Sequence, residues 1–139
     1  MFINETDLVD VKVHYIKSNH RYSAYTNVEF EDMDLEEEEK KDYKVLSLKM
    51  RELTWGLYNQ LQEDAMQDDH NGNPQFNVKL YKENRLLKLI KEWDAKTDDD
   101  KPVPIAQRFL SHLAPDIAET ILRAYDEISF ISGDEEGKS

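Results

Sequence analysis

Cysteine is absent from this sequence of 139 residues, and glycine and proline occur only four times each. The lack of cysteine excludes disulfide frameworks, thiol nucleophiles and cysteine-ligated zinc. The four glycines, at positions 56, 72, 133 and 137, are too scattered to form a phosphate-binding loop. Long apolar runs are missing too, and residues 1–5 have neither the basic nor the apolar region of a secretion signal. We therefore expect a soluble intracellular protein.

Basic residues are fewer than acidic ones. The sequence has 18 lysines and arginines and 30 aspartates and glutamates, which gives a formal net charge of -12. A surface with this balance repels nucleic-acid phosphates and anionic lipid and favours basic partners. We therefore expect no nucleic-acid partner and no membrane partner. The length suits one core, and we predict a single domain over residues 1–139.

Catalytic and metal-binding motifs are also scarce. No Gly-x-Ser-x-Gly elbow occurs, and the four histidines include no pair at the spacing of helical metal ligands. Residues 69–73 resemble the start of a calcium loop, but Pro74 follows them and Leu80 stands where that loop needs a bidentate glutamate. We predict no catalytic, cofactor-binding or metal-binding residue, no cofactor, and a protein that is not an enzyme.

The N-terminal part has the two-residue period of half-buried strands. Apolar side chains alternate with polar ones from Val9 to Tyr15 and again from Tyr22 to Phe30, with turn-forming residues at 17–21. We predict a β-hairpin over residues 1–31 with strands of roughly nine residues. A third apolar run at 43–50 extends the sheet to three antiparallel strands.

The rest of the chain has helical spacing. Thr54 is the predicted N-cap of a first helix, Trp55 its anchor to the sheet, and Gly56 the residue that gives room for close approach. Further helices are predicted at 77–95, at 105–113 and from Pro115 onward, where proline suits the first helical position. The predicted fold class is α+β, with a small antiparallel sheet followed by a bundle of about four helices.

Two polar segments complete the organisation. Residues 32–42 form an acidic linker. We favour a solvated loop or frayed helical turn for it over an acidic segment that binds a basic partner. Residues 43–131 form the strand plus helical region, and residues 132–139 are predicted to be a disordered tail.

Short motifs follow one another in a fixed order over about residues 43–130. They are KMREL at 49–53, TWGLY at 54–58, LLKLIKEWD at 86–94, PVPI at 102–105 and LAPDIA at 113–118. This order resembles the tail assembly chaperones of long-tailed bacteriophages, in which tryptophan-glycine opens a helix and a later Trp-Asp precedes a proline-valine-proline loop. Residues 8–42 are not part of that pattern, and Leu57 stands where the family often has an acidic residue.

The resemblance implies a non-enzymatic binding protein of the host cell cytoplasm. Its implied partners are the tape measure protein, whose long helices it keeps soluble, and the tail tube protein, with a homo-oligomer left open. Family members are often made in two lengths by ribosomal frameshifting, and codons for Gly137-Lys138 can form a slippery run. The alternative hypothesis is a virion structural or adaptor protein that adds its β-hairpin to a neighbouring sheet.

The candidate partner-binding residues are Leu86, Ile90 and Trp93, which share one face of the predicted helix at 77–95. The aromatic residues at helical spacing are expected to lie mostly in the core or at its rim. For Leu86, Ile90 and Trp93, too, a core position is expected for most of the side chains.

Overall fold

The protein was analysed as a computed structural model, which describes residues 1–4 and 6–129. The strands are β1 Leu8–Ser18, β2 Arg21–Thr26, β3 Lys44–Arg51, β4 Met66–Asp68, β5 Pro74–Phe76 and β6 Ile90–Trp93. The helices are α1 Asn27–Asp32, α2 Glu37–Lys40, α3 Trp55–Asp64, α4 Val78–Leu89, α5 Gln107–Leu110 and α6 Pro115–Ser129. None of the helices in these described residues is long and apolar enough to cross a membrane.

The main sheet is antiparallel and has four strands in the order β2-β1-β3-β6. The predicted α+β class is therefore confirmed, and the sheet has one strand more than the three predicted. The β1–β2 turn lies at Asn19 and His20, whose φ angles are 53° and 67°. Two successive positive φ angles match the right-handed twist of the strands that such a turn connects.

The second strand ends sooner than predicted. Thr26 ends β2 and caps α1, since its Oγ1 accepts the N–H of Glu29 at 3.2 Å and its own N–H donates to the Glu29 carboxylate at 3.0 Å. This reciprocal pair satisfies donors that the first helical turn cannot pair internally. Val28 and Phe30 therefore lie in α1, and the prediction of a strand there is wrong.

The long predicted helix at 77–95 is also shorter. It ends at Leu89, and Ile90 begins strand β6, which pairs with β3. Asp94 extends this ladder, because its carboxylate accepts the N–H of Ser47 at 2.8 Å and its N–H donates to the Ser47 carbonyl. Pairing with β3 satisfies backbone N–H and C=O groups of residues 90–93 that one more helical turn would also satisfy. In this structure these residues form a strand and not a helical turn.

The core lies between α6 and the inner face of the main sheet. Alternate residues of β1 and β3, such as Val11, Val13 and Met50, are fully buried beside Ile121 and Tyr125 of α6. Pro115 begins α6, as predicted, and Asp116 lies in its positive first turn. The strict alternation of β1 and the helical spacing of α6 thus face each other across one apolar layer.

The connecting segments agree with the predictions in part. The acidic linker is exposed and contains the single turn α2, which is the predicted helical turn. The predicted helix at 105–113 is reduced to α5, and β4 and β5 form a small hairpin after α3. The predicted disordered tail at 132–139 lies outside the described residues.

Candidate functional site

At the start of α3, the predicted N-cap is confirmed and the predicted anchor is wrong. Thr54 Oγ1 accepts the N–H of Leu57 at 3.1 Å, which confirms the N-cap. The Trp55 side chain is 80% exposed, so it does not pin α3 to the sheet. A Cβ atom on Gly56 would meet nothing within 4 Å, so no close approach occurs there either. Leu61 is the side chain of α3 that is buried.

The three predicted partner-binding residues do not form one surface. Leu86 is 5% exposed and Ile90 is 3% exposed, and both belong to the core. Trp93 is half-buried in β6, and its Nε1 donates to the Val103 carbonyl at 2.7 Å. Ile90 and Trp93 lie opposite Met50 and Leu48 of β3, and both pack against the core, so neither is presented to a partner as predicted.

Leu86 nevertheless borders an apolar groove, which is the candidate site. The groove has a volume of about 500 Å³ and lies between α4, α5 and the first half of α6. Its apolar lining consists of Val78, Leu86, Leu87, Leu110, Leu113, Pro115, Ala118 and Leu122. Three of these leucines, at positions 87, 110 and 113, are half-buried, so their side chains have apolar surface left to cover.

The rim of the groove is polar and carries both signs of charge. Lys79, Lys82 and Glu83 of α4 line it on one side, and Glu119 of α6 lines it on the other. Lys82 Nζ lies 2.9 Å from the Glu119 carboxylate and so connects the two walls. Both side chains are about half exposed, so this pair contributes little stability and is free to exchange partners.

The arrangement is suited to binding an apolar segment. A groove of this size, with an apolar floor and a charged rim, accommodates apolar side chains of a peptide while polar groups fix their orientation. Within the described part of the chain, no three His, Cys, Asp or Glu side chains are placed to hold a metal ion. A larger cleft of about 880 Å³ beside β1 is mainly polar, with Asp94 and Asp98 in its lining.

Polar contacts connect α6 to β3, α4 and α1. Burial raises the pKa of the Tyr125 phenol, whose hydroxyl donates to the Arg51 carbonyl at 2.7 Å. Arg85 of α4 pairs with Asp126 of α6 and stacks over the Tyr81 and Tyr125 rings. Arg123 binds both carboxylate oxygens of Glu29, at 2.6 and 2.9 Å, and thereby ties α1 to α6.

Sequence reasoning missed most of this site. The groove combines α4 with Leu110 and Leu113, which lie more than twenty residues further along the chain. The helical spacing of Leu110 and Leu113 was the available signal, since it indicates an apolar face without saying what covers it.

Comparisons with protein-family models, with curated protein sequences and with solved structures find no match to this chain.

Proposed function

We propose that this protein is a non-enzymatic tail assembly chaperone of a long-tailed bacteriophage. In this proposal it binds the tape measure protein in the host cytoplasm and helps to recruit tail tube subunits around it. The order of motifs from KMREL to LAPDIA supports the family. The observation that carries the proposal is the apolar groove between α4, α5 and α6.

The groove has the chemistry that such a client requires. A tape measure protein that is not yet assembled exposes long apolar helix faces, which associate with one another unless they are covered. Half-buried Leu87, Leu110 and Leu113 would take two or three side chains from such a face, in the helix-in-groove mode. The net charge of -12 would keep the resulting complex soluble.

Co-expression with the tape measure protein tests the proposal. We expect the wild-type protein to bring the client into the soluble fraction and to co-purify with it. Leu110→Glu places a charge in the groove lining and should abolish co-purification. The matched control is Ile128→Glu, because Ile128 is exposed on α6 and does not line the groove. Circular dichroism of both variants verifies that they fold.

A failure of the wild-type protein to co-purify with an intact tape measure protein would contradict the proposal. Equal co-purification of the wild-type protein and Leu110→Glu would place the client elsewhere on the surface and remove the groove from the account.

The second candidate is a virion structural or adaptor protein that adds its hairpin to a neighbouring sheet. In the main sheet β1 lies between β2 and β3, so β2 is the outer strand of the hairpin. Its Ala24 carbonyl lies 3.4 Å from the Thr120 hydroxyl of α6, which donates at shorter range to the Asp116 carbonyl. The other edge strand, β6, has four residues and a register shift, a combination that discourages strand addition.

The protein content of mature particles distinguishes the two candidates. An adaptor would be found stoichiometrically in mature particles, whereas an assembly chaperone would be absent from them.

A further inference from the structure

A second apolar surface lies on α3 and the small β4–β5 hairpin. Its members are large side chains that the fold leaves exposed: Trp55, Tyr58, Met66, Phe76 and Val78. We call these five residues the α3–hairpin surface. It shares only Val78 with the groove, and the proposed function does not assign it a role.

The local structure groups these side chains at the two ends of α3. Trp55 and Tyr58 are three residues apart on α3 and therefore lie on the same face of that helix. Met66 begins β4 directly after the helix ends, and it is paired with Phe76 of β5. The Phe76 ring packs against Tyr81 of α4, with 5.3 Å between centroids, and this contact holds the hairpin beside α4. Trp55 and Tyr58 thus lie on the first turn of α3, and the hairpin pair Met66 and Phe76 follows its other end, about 15 Å further along the helix axis.

The residue types are those found at the centres of protein interfaces. Tryptophan, tyrosine, phenylalanine and methionine are enriched there, and tryptophan is the commonest residue whose truncation costs much affinity. An exposed tryptophan at the start of a helix contributes nothing to the core. Burying that side chain in a complex removes its large apolar ring from water, which favours binding.

The charge around this surface is of one sign. Residues 52–78 contain no lysine or arginine, whereas Glu52, Glu63, Asp64, Asp68 and Asp69 are all acidic. The cations of α4 follow at positions 79, 82, 85 and 88, where Lys82 is paired with Glu119 and Arg85 with Asp126. An aromatic surface set among carboxylates attracts lysine and arginine through charge, and offers ring faces on which those cations can stack.

We propose that the α3–hairpin surface docks a basic amphipathic helix of a partner protein. The apolar face of that helix covers Trp55, Tyr58 and Met66, and its lysines and arginines lie against Glu63 and Asp68. A second copy of this chain does not fit the site, because its own surface would bring the same carboxylates into contact with these.

Calorimetric titration with two designed peptides tests this proposal. The first is an amphipathic helix of leucine and lysine, and the second is the same helix with glutamate in place of lysine. We expect the full-length protein to bind the basic peptide and to show no measurable binding of the acidic one. The emission of Trp55 should shift to shorter wavelength on binding, and Trp93→Phe isolates that signal.

Two substitutions locate the peptide, and each has a matched control. Trp55→Ala removes an exposed side chain and should weaken binding about tenfold or more. Ile128→Ala removes another exposed apolar side chain and should leave the affinity unchanged. The double variant Glu63→Gln/Asp68→Asn should weaken binding and flatten its salt dependence. The corresponding change in the linker, Glu37→Gln/Glu38→Gln, should have a much smaller effect.

Three results would overturn the proposal. Equal affinity of wild-type protein and Trp55→Ala would move the peptide off this surface. A stronger effect of the linker variant would assign the basic partner to residues 32–42. A change in oligomeric state caused by Trp55→Ala, measured by sedimentation without peptide, would identify a second copy of the chain as the occupant.

Discussion

Tyr125 is the largest fully buried side chain in the described residues, and it connects α6 to the end of β3. Its ring lies in the core, and its hydroxyl satisfies the Arg51 carbonyl where the sheet ends. A phenol in this position has both an apolar and a polar task, since a buried carbonyl without a donor is costly.

Tyr125→Phe separates these two tasks. The variant keeps the ring and leaves the Arg51 carbonyl without the hydroxyl donor, so we expect the free energy of unfolding to fall by about 1–2 kcal/mol. Urea denaturation at pH 7 measures this loss. Tyr58→Phe is the control, because Tyr58 is exposed and its change should stay within about 0.5 kcal/mol.

The same residue predicts an alkaline effect. Burial raises the pKa of Tyr125 above its ordinary value of 10.0, so the folded state holds this proton more tightly than the unfolded state does. Its contribution is fully present below pH 10.0 and is lost as the pH rises through the folded-state pKa. Above pH 10.0 the stability of the wild-type protein should therefore fall more steeply than that of Tyr125→Phe. Parallel curves for the two proteins would contradict this assignment.

Glu29 provides the corresponding acid effect. Its pKa lies below the ordinary value of 4.5, mainly because the Arg123 guanidinium binds the carboxylate. This stability is present above pH 4.5 and is lost as the pH falls through the lower folded-state pKa. Glu29→Gln should cost roughly 1 kcal/mol at pH 7, with the difference disappearing in acid. Glu31→Gln on the same helix is the control for urea denaturation and should change little.

At the scale of elements, α3 shows how a helix can be well capped and still expose its largest side chain. Thr54 caps it and Leu61 buries into the core, while Trp55 and Gly56 lie on open sides of the first turn. Spacing indicates which residues share a face, but it does not indicate which face meets the core. The sequence predicted the helix and its cap for this reason, and it predicted the wrong anchor.

Gly56→Ala distinguishes an open position from a close approach. Nothing lies within 4 Å of the added Cβ atom, and alanine has less conformational freedom to lose on folding than glycine. We expect thermal unfolding to occur at a higher temperature, with a gain of about 0.5 kcal/mol. Destabilisation by Gly56→Ala would mean that a neighbouring group does contact this position.

Where the sequence analysis predicted the wrong element, the residues fit both a strand pattern and a helix pattern. Local patterns do not decide between the two. Val28 and Phe30 fit a strand by alternation, although Thr26 and Glu29 also have the spacing of a capping box. Ile90 and Trp93 fit a helix by spacing, and only pairing with β3, about forty residues earlier, makes them a strand. Long-range pairing of this kind overrides local preference.

At the scale of the whole molecule, the fold places its two apolar surfaces on neighbouring elements. The groove uses α4, α5 and α6, and the α3–hairpin surface adjoins it at Val78. The sequence predicted the α+β class because β1 and α6 each carry a clear period. It could not predict the groove, since Leu87 and Leu110 line one groove only after α4 and α5 have packed together.

Site-specific photo-crosslinking tests the central claim most directly. A photoreactive amino acid replaces Gln107, which is exposed at the rim of the groove, or Ile128, which lies outside it. Each variant is co-expressed with the tape measure protein and irradiated, and the adducts are identified by mass spectrometry. The account predicts an adduct with the tape measure protein from position 107 and none from position 128. The absence of an adduct from position 107, or a stronger one from position 128, would contradict the account.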